Sequence, residues 1–346
     1  MKKKFNNVII IHHVDWDGFC GAYWATKYAL DVVEDKERIF YRKHDYSFKV
    51  NMPNIVPNTL VIMVDISFPV KEMREMYELC KSTPGCQFIW IDHHATAINA
   101  MSAEMLEDGR TLNDAIEGIR FNGIAACELM YFYYKGLTQR YYDNISMRGN
   151  IKGHTLDGFN CINNELWIPK GTYFVSDNDT WTHTTRETRY YLAYLELTPD
   201  HFQDRALEWY TVVFENPTTD KLDADIIDRL IIGEKVYNKT RDEVWVPLVK
   251  TGGVFYTEVD GVKYSAYIID TNRWNSFLFE TVEEEVDLFC KHTLTQDGRH
   301  KYTLYAGNSD KAPDINIGEF CKKCHPSGGG HYGAGGFTSE TEVFHK

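Results

Sequence analysis

The chain of 346 residues lacks a surplus of positive charge, because its 37 lysines and arginines are outnumbered by 50 aspartates and glutamates. The formal net charge of −13 excludes the broad basic surface with which proteins hold long nucleic acids. A long hydrophobic run near the start is also lacking, since only residues 8–11 are continuously apolar there. Such a run is too short for a signal peptide or a membrane span. We therefore expect a cytoplasmic protein with no membrane partner.

Two cysteine pairs with the spacing of a zinc site are lacking as well. The eight cysteines are scattered, and without a secretory signal they are not expected to form disulfides. One stretch, CKKCH at 321–325, fits the pattern of haem attachment or half of a zinc site. Because no second pair complements it, we interpret it as a chance pattern at a helix end. Internal repeats and low-complexity tracts are absent from the sequence.

Short apolar runs alternate with helical patterns in the first half of the chain. The predicted strands are 8–11, 60–64, 88–91 and, as a fourth candidate, GTYFVSDNDTW at 171–181. The predicted helices are 21–30, 70–82 and 123–136. This alternation predicts an α/β fold with a doubly wound, mainly parallel sheet, which we assign to an N-terminal domain at 1–184. The less regular segment 137–169 is predicted to be a surface excursion.

Two further segments complete the predicted organisation. Residues 185–243 have a helical pattern and are predicted to form a connector. Residues 244–346 are predicted to form a smaller α/β domain, with turns at Gly252-Gly253 and Asp260-Gly261. Its further predicted strands are KYTLYAG at 301–307 and, at the end, TSETEVF at 338–344.

Acids and histidines follow each predicted strand of the first domain. In a doubly wound sheet, ligands bind at the carboxyl ends of the strands, so these side chains are expected to converge. Each alone is compatible with a turn or a helix N-cap, but four such coincidences favour a functional site. The residues are His13, Asp15 and Asp17 after the first strand, Asp65 after the second, Asp92, His93 and His94 after the third, and Asp177 with Asp179 after the fourth.

The predicted cluster of carboxylates requires positive charge. Five carboxylates in one crevice cannot all stay ionised without it, and two divalent cations would supply it. A mixture of imidazole and carboxylate ligands suits Mn²⁺, Zn²⁺ or Fe²⁺ better than Mg²⁺. A pair of metal ions is typical of phosphoester hydrolysis.

A glycine-rich stretch, GGGHYGAGGF at 328–337, is the last motif. Glycines let backbone N–H groups approach an anion closely, and a histidine among them can contact a phosphate. A flexible tail is the alternative interpretation. The apolar Phe337 and the strand predicted after it favour an ordered loop.

Together these motifs resemble the DHH phosphoesterase superfamily. HVDWDG, the aspartate of VIMVDISFP, IDHHATAI and VSDNDTW stand in the order of that family, and GGGHYGAGGF resembles the mark of the DHH-associated C-terminal domain. The resemblance spans nearly the whole chain. It is greatest for the small oligoribonucleases (nanoRNases) and their relatives that cleave cyclic dinucleotides.

The resemblance implies a role for each matching residue. His13 and Asp15 would hold one metal ion, and Asp17, His93 and Asp177 the other, with Asp65 bridging both. The implied catalytic residues are His94, facing the scissile phosphate, and Asp92, orienting His93. The implied substrate-binding residues are Gly328, Gly329, Gly330 and His331. Tyr305 stands where many relatives have an arginine, and Arg273 or Lys311 is the candidate replacement for that cation.

The expected function is that of a phosphodiesterase that depends on two divalent metal ions, for which we expect Mn²⁺. It would hydrolyse short oligoribonucleotides to mononucleotides, as a 3′-5′ or 5′-3′ exonuclease, and also linear or cyclic dinucleotides. The alternatives are a small-molecule phosphatase acting on 3′-phosphoadenosine phosphate or pyrophosphate, a RecJ-like exonuclease for single-stranded DNA, and a nucleotide-binding sensor without catalysis. The sequence indicates no obligate protein partner and leaves open whether the chain forms a homodimer.

Overall fold

In a computed structural model of the chain, the described residues are 5–46, 48–137, 168–180, 185–197, 213–214, 224–274, 276–330 and 332–346. The chain divides into two compact units, Met1–Leu230 and Ile231–Lys346. This division falls within the predicted connector, 185–243. Most of the predicted surface excursion, 137–169, lies outside the described residues.

The first unit contains a sheet of four parallel strands in the order β2-β1-β3-β4. Because the chain runs to one side of β1 and then to the other, the sheet is doubly wound, as predicted. Its strands are β1 (Asn7–His13), β2 (Ile39–His44), β3 (Thr59–Val64) and β4 (Gln87–Ile91). Its helices are α1 (Trp16–Val32), α2 (Val70–Ser82), α3 (Ala95–Ala103), α4 (Leu112–Ala115), α5 (Ala126–Lys135), α6 (Lys170–Asp179) and α7 (Arg186–Leu195).

The inner strands are buried on both faces, which explains their continuous apolar runs. Every residue of β3 is buried, and its side chains Val61 and Met63 join one core cluster with Ile9, Ile11 and Trp90. The edge strand β2 escaped prediction because it carries charged residues and is buried only at its two ends.

The predicted fourth strand is wrong, because residues 170–179 form helix α6. The helix begins after Pro169, whose carbonyl accepts the N–H of Tyr173 at 2.9 Å. Residues 171–177 are all buried, so the segment lacks the periodic alternation of apolar and polar positions that distinguishes a helix from a strand. The helical geometry changes which acid of this segment faces the rest of the unit.

The second unit contains a mixed sheet of six strands in the order β5-β6-β7-β8-β10-β9. Strands β6 and β7 are parallel, and the other neighbours are antiparallel. The strands are β5 (Gly253–Val259), β6 (Val262–Asp270), β7 (Leu288–Leu294), β8 (His300–Ala306), β9 (Gly329–Gly330) and β10 (Ala334–Ser339). The remaining helices are α8 (Ala224–Thr240), which continues through Arg241–Trp245, α9 (Val246–Val249) and α10 (Ile317–Cys324).

Two sequence expectations for this unit are decided by its sheet. Asp260 and Gly261 both have positive φ, as a tight hairpin between β5 and β6 requires, so that turn is confirmed. The last strand, however, is β10 at 334–339 rather than 338–344, because the glycines of the motif pair with β8 and β9. Beyond it, His345 forms an isolated bridge with Tyr256.

The CKKCH stretch forms the end of α10. Cys321 is buried in the core cluster that α10 makes with the second sheet. No cluster of potential metal ligands within the described ranges includes Cys321 or Cys324. In the part of the chain that the structure describes, no helix has both the length and the apolar character to cross a bilayer.

Gly18 allows α1 to start directly against the end of β1. An added Cβ at this position would lie 2.4 Å from the carbonyl oxygen of His13. We predict that Gly18→Ala lowers the free energy of unfolding by about 1–3 kcal/mol, because rigid backbone must move. Urea unfolding followed by circular dichroism measures the change.

Gly253→Ala provides the control for this substitution. Its added Cβ would meet only the Phe255 ring, at 3.8 Å. We expect a change within about 0.5 kcal/mol. Equal stability of the Gly18→Ala variant and the wild type would contradict the close contact.

Candidate metal centre

Side chains from three neighbouring strands meet at the carboxyl edge of the parallel sheet. His13 ends β1, and Asp15 caps α1 by accepting the N–H of Gly18 at 2.9 Å. Asp65 directly follows β3, and His93 comes two residues after β4. Because the strands are parallel, these ends lie side by side, as the sequence predicted.

One group of potential ligands surrounds His13. Its Nδ1 lies 2.8 Å from Asp15 Oδ2 and 3.4 Å from Asp65 Oδ2. Asp45, which follows the edge strand β2, places its Oδ2 3.8 Å from His13 Nε2. Sequence reasoning missed Asp45 because it missed β2.

A second group surrounds His93, whose imidazole is 1 % exposed. Its Nε2 lies 3.3 Å from Asp65 Oδ1, 3.5 Å from Asp17 Oδ2 and 3.1 Å from Asp179 Oδ2. Asp65 therefore directs one oxygen to each group. Three sets of potential ligands each have one atom per residue within 4.8 Å of the others: His13, Asp15 and Asp65; Asp17, His93 and Asp179; and Asp65, His93 and His94. This is the arrangement expected for two metal ions that share one carboxylate.

The structure places Asp179, and not Asp177, against His93. Residues two positions apart on an α-helix point in nearly opposite directions, so α6 presents only one of the pair to the centre. Asp177 points away and accepts a hydrogen bond from Thr188 Oγ1 at 2.5 Å. The predicted ligand Asp177 is thus corrected to Asp179, because the segment is a helix rather than a strand.

Asp92 is the second correction. Its Oδ1 lies 2.7 Å from His94 Nδ1 and accepts the backbone N–H of His93 at 2.8 Å. Its Oδ2 accepts a hydrogen bond from Trp90 Nε1 at 3.2 Å. Asp92 therefore orients the ring of His94, whereas the prediction was that it orients the ring of His93. This contact engages Nδ1 of His94.

Asp17 is held by the start of α5. Its two oxygens accept the backbone N–H groups of Ala126 and Cys127 at 2.8 and 2.7 Å. A carboxylate is favoured at this position, where the N–H groups of a helix start are unpaired and the helix dipole is positive. These bonds position Asp17 beside His93.

Burial and mutual repulsion set the protonation of the centre. Burial, and then the neighbouring carboxylates Asp17 and Asp15, raise the pKa of Asp65 and Asp179 well above the ordinary value. Burial alone would lower the pKa of His13, but the nearby carboxylates, with Asp15 first, raise it overall. The centre thus holds protons in place of the positive charge that its carboxylates require.

The donor set fits divalent cations. Within the described residues, both oxygens of Asp65 and Oδ2 of Asp179 are buried without a hydrogen-bond partner. Buried carboxylate oxygens are costly in that state unless a cation binds them. Imidazole nitrogens next to carboxylates are typical ligands of Mn²⁺, Zn²⁺ and Fe²⁺. The backbone of Asp65 is also left-handed, with φ of 60°, which is a strained conformation often found at functional sites.

The residues predicted to bind substrate lie in the second unit. Tyr305 is only 7 % exposed, because its ring packs 5.8 Å from that of Phe279 and beneath the ammonium of Lys291. The sequence predicted Tyr305 as a substrate-binding residue, whereas the structure does not present it as a binding surface. Arg273 is exposed in the loop after β6. His331 lies outside the described residues.

The glycines of the last motif are required by the packing of the protein itself. An added Cβ at Gly328 would lie 2.0 Å from the carbonyl oxygen of Cys321, and one at Gly330 would lie 2.4 Å from that of Ala334. Gly329 pairs with Gly336 between β9 and β10. Binding of an anion by Gly328, Gly329 and Gly330 remains a prediction.

Comparison with known proteins identifies the first part of the chain. Residues 7–153 match the model of the DHH family, N-terminal domain. Among solved structures, the chain is similar to one described as a member of the s1p family of ribosomal proteins, DHH domain. That match has 13 % identity and a TM-score of 0.50, and it covers 96 % of this chain and 82 % of the other. No curated protein matches.

Two further solved structures align at lower TM-scores. The pGpG-specific phosphodiesterase of Vibrio cholerae aligns with 13 % identity and a TM-score of 0.41, over 96 % of this chain and 93 % of that one. RecJ of Thermus thermophilus, in complex with Mn²⁺, aligns with 13 % identity and a TM-score of 0.41, over 96 % of this chain and 49 % of that one. At TM-scores below 0.5, these two alignments support no conclusion about fold or activity.

We predict that Asp179→Asn weakens Mn²⁺ binding to one of two sites by at least about tenfold, because it removes a charged ligand. Asp177→Asn is the matched control on the same helix, and it should leave both affinities unchanged, since Asp177 contacts Thr188. Isothermal titration calorimetry with Mn²⁺ measures both variants. Loss of a site in the Asp177→Asn variant alone would contradict the placement of α6.

We also predict that Mn²⁺ binds more weakly as the pH falls. Asp65, Asp179 and His13 have raised pKa values in the metal-free centre, so each must lose a proton to bind a cation. Burial, and then His94, lower the pKa of His93 to about 4, so this ligand is neutral already. Calorimetry in buffers of different ionisation enthalpy counts the protons released. Binding without proton release would show that Asp65, Asp179 and His13 do not hold these protons in the metal-free centre.

Proposed function

We propose that this chain, whose residues 7–153 match the model of the DHH family, N-terminal domain, is a two-metal phosphodiesterase that hydrolyses short oligoribonucleotides and dinucleotides. The observation that carries the proposal is the position of Asp65, which directs one oxygen to the group around His13 and the other to the group around His93. A shared carboxylate of this kind is typical of centres that cleave phosphoesters with two metal ions. We propose Mn²⁺ as the metal.

The ligands of the centre would divide between two metal ions. His13 and Asp15 would hold one ion, Asp17, His93 and Asp179 the other, and Asp65 both. When bound, the two ions would supply an activated water and stabilise negative charge on the phosphoryl oxygens.

His94 is placed to act on the substrate. Asp92 fixes its ring through Nδ1. Burial alone would raise the pKa of Asp92, but His94 and N–H donors lower it overall. The Asp92 carboxylate is therefore ionised and keeps a proton on Nδ1 of His94. A protonated His94 would donate from Nε2 to a phosphoryl oxygen or to the leaving oxygen.

The charge of the chain favours a short substrate. With a net charge of −13, the protein would repel a long polyanion except where metal ions or local cations hold it. We propose that the second unit supplies local contacts to the nucleotide end of the substrate, through Arg273 and the glycine motif with His331. The direction of cleavage follows from which end of the substrate these contacts hold.

The test is a hydrolysis assay with Mn²⁺ on a panel of substrates. We expect faster cleavage of a labelled RNA dinucleotide and pentanucleotide than of a long RNA or single-stranded DNA. Cyclic di-AMP and 3′-phosphoadenosine phosphate complete the panel. Preference for the long strand would favour a RecJ-like exonuclease, and preference for the monophosphate would favour a small-molecule phosphatase. Tight nucleotide binding without hydrolysis would favour a sensor.

Asp65→Asn is the variant that ties the activity to this centre. Asparagine tolerates the left-handed backbone of Asp65, whereas alanine does not, so the fold should persist. We expect a loss of kcat/KM of at least about 10³-fold, equivalent to about 4 kcal/mol of transition-state stabilisation. Circular dichroism checks the fold. Full activity of the folded variant would overturn the shared-carboxylate assignment.

A further inference from the structure

The segment after the edge strand β2 brings an aromatic ring to the metal centre. In the register of the sheet, His44 at the end of β2 pairs with His13 at the end of β1. The next residues, Asp45 and Tyr46, therefore lie at the same carboxyl edge as the ligands. Asp45 reaches His13, as described above.

Tyr46 contacts residues of both parts of the centre. Its ring centroid lies 5.4 Å from that of His94 and 5.8 Å from that of His13. Both contacts are tilted or edge-on, with interplanar angles of 71° and 59°, so neither histidine is stacked parallel on the tyrosine ring. Ser67 is a hydrogen-bond partner of the phenol.

Although it is anchored in this way, Tyr46 is 53 % exposed. Single exposed aromatic residues are common on protein surfaces and alone indicate nothing. This ring differs because it stands beside the histidine that would face the scissile phosphate. In a nucleotide, the base is joined to its phosphate through one sugar, so a base bound near the phosphate lies within reach of an adjacent surface.

We propose that Tyr46 is a stacking surface for the nucleobase next to the scissile phosphate, and that it makes the centre selective for nucleotides over other phosphodiesters. This inference rests on the proposed function and deepens it. Every base has a π face, so stacking on tyrosine would tolerate any sequence. The hydroxyl serves to anchor the ring and is not required to contact the substrate.

The experiment compares two substrates that differ only in their bases. The first is an RNA dinucleotide, and the second is the same backbone with abasic sugars. We expect Tyr46→Leu to raise KM for the dinucleotide about tenfold to a hundredfold, the range for loss of one stacked base. The kcat of the dinucleotide and both constants of the abasic substrate should change less than about threefold.

Two control variants separate the ring from its hydroxyl and from its neighbourhood. Tyr46→Phe keeps the ring and should retain the wild-type KM. Phe48→Leu makes the same change of an aromatic residue in the same segment, at 52 % exposure, where the ring contacts His44 instead of the centre. It should also retain the wild-type KM. Thermal unfolding checks that all variants are folded.

The outcomes distinguish this inference from the proposed function. An equal loss on both substrates in the Tyr46→Leu variant, or no loss on either, would overturn the stacking role while the phosphodiesterase activity stands. The same holds if the wild type cleaves the abasic substrate as well as the dinucleotide. Failure of the wild type to cleave either substrate would overturn the proposed function, and the inference with it.

Discussion

The carboxylates that meet at the edge of the parallel sheet impose the constraint on which the rest of the first unit depends. Asp17, Asp65 and Asp92 are each at most 2 % exposed, so little water solvates them. Removing an ionised carboxylate from water costs several kcal/mol unless a cation or hydrogen-bond donors compensate. Backbone N–H groups and imidazoles compensate Asp17 and Asp92, whereas Asp65 lies between two histidine groups without a hydrogen-bond partner in the described residues. The residual charge is what makes the centre suited to divalent ions.

The fold positions these acids with backbone contacts and leaves little to flexible side chains. Asp15 caps α1, and Asp17 accepts two N–H groups from α5, so both are fixed by helix starts. The N–H of Asp65 donates to the carbonyl of Ile91 at 3.0 Å, which holds the left-handed residue between β3 and β4. Short side chains on rigid backbone lose little entropy when a metal ion binds, and they hold a geometry that long glutamates would not.

The sequence predicted the sheet and most of the centre for physical reasons that also explain its errors. Strands β1, β3 and β4 are buried on both faces, so they appear as apolar runs, and the polar residues that end them mark the site directly. The edge strand β2 lacks such a run, and Asp45 and Tyr46 were missed with it. The segment of α6 is buried on every side, so its pattern does not distinguish a helix from a strand. Whether this segment is a helix or a strand decides which of Asp177 and Asp179 faces His93, and the local sequence pattern does not show it. The partner of Asp92 depends on side-chain torsions, which spacing does not specify.

Tyr46 and Tyr305 show why the type of a residue is a weaker guide to binding than its surroundings. From the sequence, Tyr305 has the better claim, because it stands where relatives carry a phosphate-binding arginine. Its ring packs against Phe279 and beneath Lys291 in the second unit and is only 7 % exposed, so its apolar surface is already used. Tyr46 has no such motif, yet about half of it is exposed beside His94. Exposed apolar surface becomes more favourable when another apolar surface covers it. A planar base would cover the Tyr46 ring while the phosphate attached to it binds at the metal centre. Selection by base and hydrolysis at the phosphate would then share one edge of one sheet.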